Sequence, residues 1–146
     1  MNKNILVVIV LAIIIIVLAL LLFLPKTGQA PSQSNNTMVP VGIEVFAPKL
    51  DEVVKSPLKI TGKTMGNGWI GFEAQVGTVK LLDDAGKVLA FDILTAQGEW
   101  MQQVINFETT LNFTTMADAG SLVFYNENPS GEAERNKTFS LPVKFK

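Results

Sequence analysis

The longest apolar run in the chain, Ile5–Leu24, limits what the rest of the sequence can be. It contains 20 residues and no polar side chain. A helix of that length spans about 30 Å, which matches the hydrocarbon thickness of a bilayer. Because lipid offers no hydrogen-bond partners, a lone span must satisfy its own backbone and is therefore helical. Residues 1–24 thus predict a short N-terminal tail followed by one transmembrane α-helix over 5–24.

The same run could instead be a cleaved secretory signal, but its length argues against that alternative. Signal peptides have apolar cores of roughly 7–15 residues followed by a small-x-small cleavage site. The best match to such a site is Gly28–Ala30, and Pro31 follows it directly. Proline just after the cut is a poor substrate, so we expect the helix to be retained as a membrane anchor.

The orientation of the predicted anchor is not decided by charge. Lys3 precedes the span and Lys26 follows it, so the positive-inside rule gives a tie. The short N-terminal tail favours a cytoplasmic amino terminus. We therefore expect a single-pass protein of the cell membrane whose C-terminal part is extracytoplasmic.

Residues 25–42 and 43–146 differ in composition. The first segment is rich in Pro, Ser, Asn and Gln, which is typical of a flexible linker. Its random-coil reach is roughly 21–25 Å. The second segment is long enough for one domain and has a net charge of −3, from 10 basic and 13 acidic residues. It shows no basic run, which argues against nucleic acid as a partner.

From Ile43 onward apolar residues recur with a period of two, which predicts strands rather than helices. The pattern is clearest in Phe139–Phe145, where every second residue is apolar. Pro142 cannot donate to a ladder, so we expect this strand at a sheet edge or with an outward-facing N–H.

Similar reasoning predicts an all-β domain of about seven short strands, typical of an antiparallel β-sandwich. Asp83–Gly86 predicts a hairpin turn between the third and fourth strands, and residues 126–137 predict a solvated polar loop. The predicted strands are Ile43–Phe46, Leu58–Lys63, Val76–Leu82, Val88–Thr95, Trp100–Phe107, Leu122–Tyr125 and 139–146.

Five sequence blocks occur in a recognisable order: Val45–Pro48, Val53–Gly62, Asp83–Leu89, Gly98–Trp100 and Leu141–Val143. In order and spacing, residues 44–145 resemble the immunoglobulin-like domain of bacterial spore-germination-type proteins, which is often found beside a GerM-type domain. The resemblance implies an extracytoplasmic immunoglobulin-like β-sandwich used for binding or spacing. It implies no catalytic residues.

Two patterns that could indicate chemistry are explained better by structure. Ser56–Lys59 fits the S-x-x-K motif of penicillin-binding enzymes, but a strand points residues i and i+3 to opposite faces. Asp83, Asp84 and Asp92 could be proposed as calcium ligands, yet Asp is an ordinary turn residue and calcium takes six to eight oxygens. The chain also has no Cys and no His. We therefore expect no metal, no cofactor and no enzymatic activity.

Aromatic side chains could instead form a stacking platform for sugar rings. The candidates are Trp69, Phe72, Trp100 and Tyr125, although aromatic residues in strands are usually part of the core. Trp69 is the strongest ligand-binding candidate, because it follows a Gly-Asn-Gly turn and would then lie at a rim.

The leading hypothesis is a non-catalytic adhesion, wall-contact or assembly module, anchored in the membrane by residues 5–24 and contacting other envelope proteins. The alternative is a module that binds cell-wall polysaccharide, either peptidoglycan or an exopolysaccharide. An envelope enzyme is a remote third possibility.

Overall fold

The computed structural model describes residues 42–146, which form an all-β fold. The predicted transmembrane helix at 5–24 and the predicted linker residues 25–41 lie outside the described residues. Within residues 42–146 no helix is long and apolar enough to cross a bilayer. The helical structure in this range is a single 3₁₀ turn, Ala133–Arg135.

Seven strands are present, as the sequence predicts, and six of them lie close to their predicted positions. Alternate residues are buried most clearly in β2, β5 and β7, as the period-two pattern predicts. The strands are β1 Ile43–Ala47, β2 Leu58–Thr64, β3 Gln75–Asp83, β4 Val88–Ala96, β5 Asn106–Leu111, β6 Ala119–Asn126 and β7 Thr138–Lys144.

The predicted fifth strand, Trp100–Phe107, is wrong in its position, because β5 begins only at Asn106. The alternating buried residues that define this strand run from Ile105 to Leu111. The residues before Ile105 form a loop, in which Met101 is 77% exposed. The aromatic and β-branched residues at 100–104 favoured a strand locally, but they lie outside the alternation.

The strands pair in the order β1-β2-β5-β4-β3-β6-β7, and every neighbouring pair is antiparallel. The β4–β5 connection is short, with only Thr95↔Glu108 and Ala96↔Phe107 in register. It divides the sheet into a three-stranded half, β1-β2-β5, and a four-stranded half, β4-β3-β6-β7.

The two halves fold onto each other around one core. Phe107 on β5 and Phe124 on β6 are separated by two strands in the sheet order, yet their ring centroids are 6.5 Å apart. That distance requires the halves to face each other, which is the arrangement of a sandwich. The largest fully buried side chains are Trp69, Phe107, Phe124, Ile60, Leu81 and Leu94.

Residue 62 must be small for Phe107 to reach the core. A Cβ on Gly62 would clash with the Phe107 ring and with the carbonyl oxygen of Glu44 on the neighbouring strand. Glycine weakens a strand, but here it allows an aromatic ring to lie over the backbone.

The outer edge of β7 is covered by the segment between β1 and β2. Val53 pairs with Lys144 in a parallel bridge, and the Asp51 N–H donates to the Pro142 carbonyl at 2.9 Å. β7 is the last strand in the order, which confirms the expected edge position of Pro142. Covering an edge in this way limits unwanted strand pairing.

Gly42 belongs to the folded domain rather than to the linker. Its carbonyl accepts a hydrogen bond from the Met65 N–H at 2.7 Å, and its φ of 72° suits glycine. A side chain at this position would clash with the Trp69 ring.

The facing halves generate a stability prediction. Phe107→Ala should lower the free energy of unfolding by about 3–5 kcal/mol, because it leaves a cavity between them. Phe46→Ala, the same change at an exposed position on β1, should cost less than about 1 kcal/mol. Chemical denaturation of the full-length chain in mild detergent measures both values, and equal losses would contradict the packing described.

Candidate functional site

The outer faces of the two halves differ in chemistry. On the three-stranded half, Lys59 forms an ion pair with Glu108 at 2.9 Å, and Lys63 forms one with Glu44 at 3.0 Å. The Lys63 ammonium also lies 5.6 Å from the centroid of the Phe46 ring. Charges of both signs therefore alternate over this face, which is typical of a solvated surface.

The outer face of the four-stranded half carries two rows of side chains set by the strand register. Residues opposite each other on neighbouring strands share a face, and the alternate residues of β3 and β6 are buried on the other side. We call these residues the outer patch: Phe91, Lys80, Val123 and Ser140 in one row, and Ile93, Thr78, Tyr125 and Thr138 in the other. None of these eight residues is acidic.

Phe91 is the most prominent apolar side chain of the outer patch, with 73% of its surface exposed. Ile93 is exposed beside it on the same strand. Lys80 lies between Phe91 and Val123 in the row and places its ammonium 5.0 Å from the Tyr125 ring centroid. The outer patch thus combines an uncovered aromatic ring, a residue type enriched at the centre of interfaces, with one cation.

The structure does not support Trp69 as a stacking residue. Its side chain is only 1% exposed, and its backbone N–H donates to the Gly66 carbonyl at 3.0 Å. The expectation of a rim position is therefore wrong, and Trp69 is a core residue. Of the other candidate aromatic residues, Phe72 and Trp100 lie on loops and Tyr125 lies on β6.

The residues of the S-x-x-K match have structural roles. The Ser56 hydroxyl accepts a hydrogen bond from the Phe113 N–H at 3.0 Å, which ties the entrance of β2 to the β5–β6 loop. Lys59 is engaged with Glu108 on the outer face. The two side chains do not form a nucleophile and base pair.

The aspartates considered as calcium ligands also have separate roles. The Asp83 carboxylate accepts from the backbone N–H groups of Ala85 and Lys87, so it closes the predicted hairpin turn. Asp92 lies on β4 and accepts from the Thr109 hydroxyl at 2.6 Å. Across residues 42–146 no group of three or more acidic side chains is arranged to hold a metal ion.

A cleft of about 250 Å³ lies between the β2–β3 loop, residues 65–74, and the β6–β7 loop, residues 127–137. Ile70 forms its apolar side, while Glu127, Arg135 and Lys137 contribute charged groups. The loop predicted to be merely solvated is therefore part of a formed cleft.

Asn126 holds this cleft together. Its side-chain amide donates to the carbonyl of Gly68 at 2.7 Å and to that of Arg135 at 3.0 Å. Its side-chain oxygen accepts from the Lys137 N–H at 2.7 Å. One side chain thus joins both ends of the β6–β7 loop and connects it to the β2–β3 loop.

Glu127 is the titratable group that the cleft perturbs most clearly. Partial burial removes water from its carboxylate and raises the pKa of Glu127 above its ordinary value. A desolvated carboxylate destabilises the folded state when it is charged, so this position has an electrostatic cost at neutral pH.

The seven antiparallel strands, closed around one core, define the domain as an immunoglobulin-like module. The chain belongs to the family of immunoglobulin-like domains of bacterial spore germination, whose family model matches residues 42–133. This match confirms the resemblance noted in the sequence. No curated protein and no solved structure matches the chain.

Sequence reasoning missed Phe91, although a signal was present. Along β4 both alternating sets contain apolar residues: Phe91 and Ile93 on one side, Ala90 and Leu94 on the other. A strand buried on one side only should be polar on its other side. Two apolar sides on an antiparallel strand therefore indicate either full burial or an exposed contact surface.

The hydrogen-bond network of the cleft generates a second stability prediction. Asn126→Ala should lower the free energy of unfolding by about 2–3 kcal/mol, because several backbone groups lose their partner together. Asn112→Ala, at an exposed position in the β5–β6 loop, is the matched control and should have little effect. Chemical denaturation of both full-length variants measures the effect. Equal losses in the free energy of unfolding would contradict the bridging role.

The raised pKa of Glu127 predicts a pH-dependent effect of Glu127→Gln. Because the folded pKa lies above the unfolded one, the folded state binds the proton more tightly. The stability due to this group is present below the unfolded pKa and is lost as pH rises through the folded pKa. Glu127→Gln should therefore be more stable than wild type at neutral pH, and this advantage should shrink on acidification.

Thermal unfolding across the acidic range measures the Glu127 effect. Glu134→Gln, which changes an exposed carboxylate on the same loop, is the control for the general effect of removing a charge. A Glu127→Gln advantage that stayed constant down to acidic pH would rule out desolvation as its cause.

Proposed function

We propose that the chain is a membrane-anchored, extracytoplasmic binding module that holds a partner protein of the cell envelope against its outer patch, without catalysis. The observation that carries the proposal is Phe91, a strand residue that is 73% exposed and belongs to an outer patch of eight residues without an acidic side chain. Exposure of an aromatic ring to water is unfavourable, so covering the ring with a partner surface would stabilise the complex.

The anchoring part of the proposal rests on the sequence. Residues 5–24 match a bilayer in length, and they lack any charge that would oppose insertion. The linker that follows is polar and carries a single charged residue, Lys26. Such a chain would keep the domain close to the membrane.

The chemistry of the outer patch indicates the kind of partner. Its only charged residue is Lys80, whereas the domain as a whole carries a net charge of −3. A complementary partner therefore offers an apolar recess for Phe91 with carboxylates at its rim. Full burial of one such side chain contributes about 1.5–3 kcal/mol, which is the scale of an interface hot spot.

A protein partner fits this surface better than a polysaccharide does. Sugar stacking needs free aromatic faces, but Trp69 is buried and Lys80 lies over the Tyr125 ring. On the outer patch, Phe91 alone is an incomplete platform. The absence of a catalytic arrangement around Ser56 and the aspartates supports a role in binding rather than chemistry.

The proposal predicts different thiol reactivity on the two outer faces in living cells. The chain has no native cysteine, so Thr138→Cys on the outer patch and Thr110→Cys on the ion-paired face each create a unique thiol. Both positions are exposed in the domain. In intact producing cells, a membrane-impermeant maleimide should label Thr110→Cys readily and Thr138→Cys several-fold more slowly.

Solubilisation, or the addition of Phe91→Ser, should remove the difference between the two thiols. Labelling of both thiols only after lysis would overturn the extracytoplasmic orientation. Equal labelling rates in intact cells would overturn the proposal that a partner covers the outer patch. Recovery of the chain outside the membrane fraction would overturn the anchor.

A further inference from the structure

Three loops and the first described residue lie at one end of the sandwich. β2 ends and β3 begins at this end, as do the pairs β4 and β5, and β6 and β7. Gly42 is held there by its hydrogen bond with Met65. The chain that precedes the domain therefore joins it at the end formed by the β2–β3, β4–β5 and β6–β7 loops, which we call the loop end.

The β2–β3 loop, residues 65–74, and the β4–β5 loop, residues 97–105, form one surface at the loop end. A Cβ on Gly71 would clash with the Trp100 carbonyl, so the two loops are in close contact. The Gln103 side chain lies over Gly66 at the same junction.

This joined surface is rich in exposed apolar side chains and poor in charge. Its 19 residues include only two charged ones, Glu73 and Glu99, both at its margins. Met101 is 77% exposed, and Trp100 next to it is half-buried. The exposed apolar side chains of the surface are Ile70, Phe72, Met101 and Val104.

The opposite end of the domain has a different character. It also exposes a methionine, Met116, which is 86% accessible. Around it, however, are an ion pair between Lys146 and Asp118 at 2.9 Å and the charged hairpin residues Asp84 and Lys87. Apolar exposure with little charge of its own is therefore a property of the joined surface of the β2–β3 and β4–β5 loops, whereas the β6–β7 loop beside it is charged.

We propose that the joined surface of the β2–β3 and β4–β5 loops rests on the bilayer, with Met101 and its apolar neighbours inserted among the lipid headgroups and upper acyl chains. This inference rests on the anchor of the proposed function. A chain anchored by residues 5–24 is tethered at Gly42, and the random-coil reach of the linker is only about 21–25 Å. The surface nearest to the tether is also the one with exposed apolar loops.

The side-chain chemistry of the loop end suits a membrane interface. Tryptophan prefers this region, because its ring is apolar and its N–H can remain hydrated. Glu73 and Glu99 would lie among the headgroups, where the amines of zwitterionic lipids can neutralise them. Contact is therefore expected with zwitterionic lipid, and the outer patch on the sheet face stays free for a protein partner.

Trp100 provides a direct test. The chain has two tryptophans, and Trp69 is buried in the core. The full-length protein is placed in phosphatidylcholine nanodiscs with or without brominated acyl chains, which quench tryptophan at contact. Trp100 fluorescence should be quenched, and Trp100→Phe identifies its share of the signal.

Two methionine variants distinguish loop contact from simple proximity. Met101→Asp should reduce the quenching several-fold, because it places a charge in the apolar surface. Met116→Asp makes the same change at the opposite end and should leave the quenching unaltered.

The outcomes separate the two proposals. Failure of the chain to enter nanodiscs overturns the anchor and, with it, the loop contact. Entry without quenching of Trp100, equal effects of the two aspartates, or a Trp100 signal that depends on protein concentration rather than bromine overturns the loop contact alone.

Discussion

The packing of Phe107 against Phe124 holds the two halves of the domain together. The continuous sheet could in principle stay open, because only two residue pairs connect β4 with β5. The rings of Phe107 and Phe124, 6.5 Å apart, close it. This contact in turn requires Gly62, since any side chain there would displace the Phe107 ring. The two outer faces and the loop end exist because this closure gives the sheet an inside.

Much of the fold could be predicted because the alternation of buried and exposed residues along a strand is a local property of the sequence. A period of two fixes which side of a strand is buried, and Asp83 marks its hairpin turn through short hydrogen bonds. The position of β5 was missed because Trp100 and Met101 have the composition of a strand, but they lie outside the alternation that begins at Ile105.

The candidate site could not be predicted in the same way. The burial of Trp69 depends on the approach of Gly42 from another part of the chain, which no local pattern records. The exposure of Phe91 depends on which side of β4 the second half of the sheet covers. The cleft depends on Asn126, whose side chain reaches Gly68, a residue 58 positions away. Properties that arise from non-local contacts become visible only in the folded structure.

The two outer faces show how one domain can separate solubility from binding. The pairs Lys59–Glu108 and Lys63–Glu44 keep one face hydrated, and such exposed pairs add little stability. The other face carries Phe91 and Lys80 without any acidic neighbour in the outer patch. On the proposed function, this difference would direct a partner to one side of the module.

The place where the chain enters the domain also determines how the domain bears a mechanical load. Gly42 leads straight into β1, whose hydrogen bonds to β2 run across the strand direction. Tension between a fixed membrane and a gripped partner would pull β1 along its own axis, so its bonds to β2 would be strained together rather than one after another. A module attached in this way would resist being drawn apart in shear, which suits the binding role proposed for it.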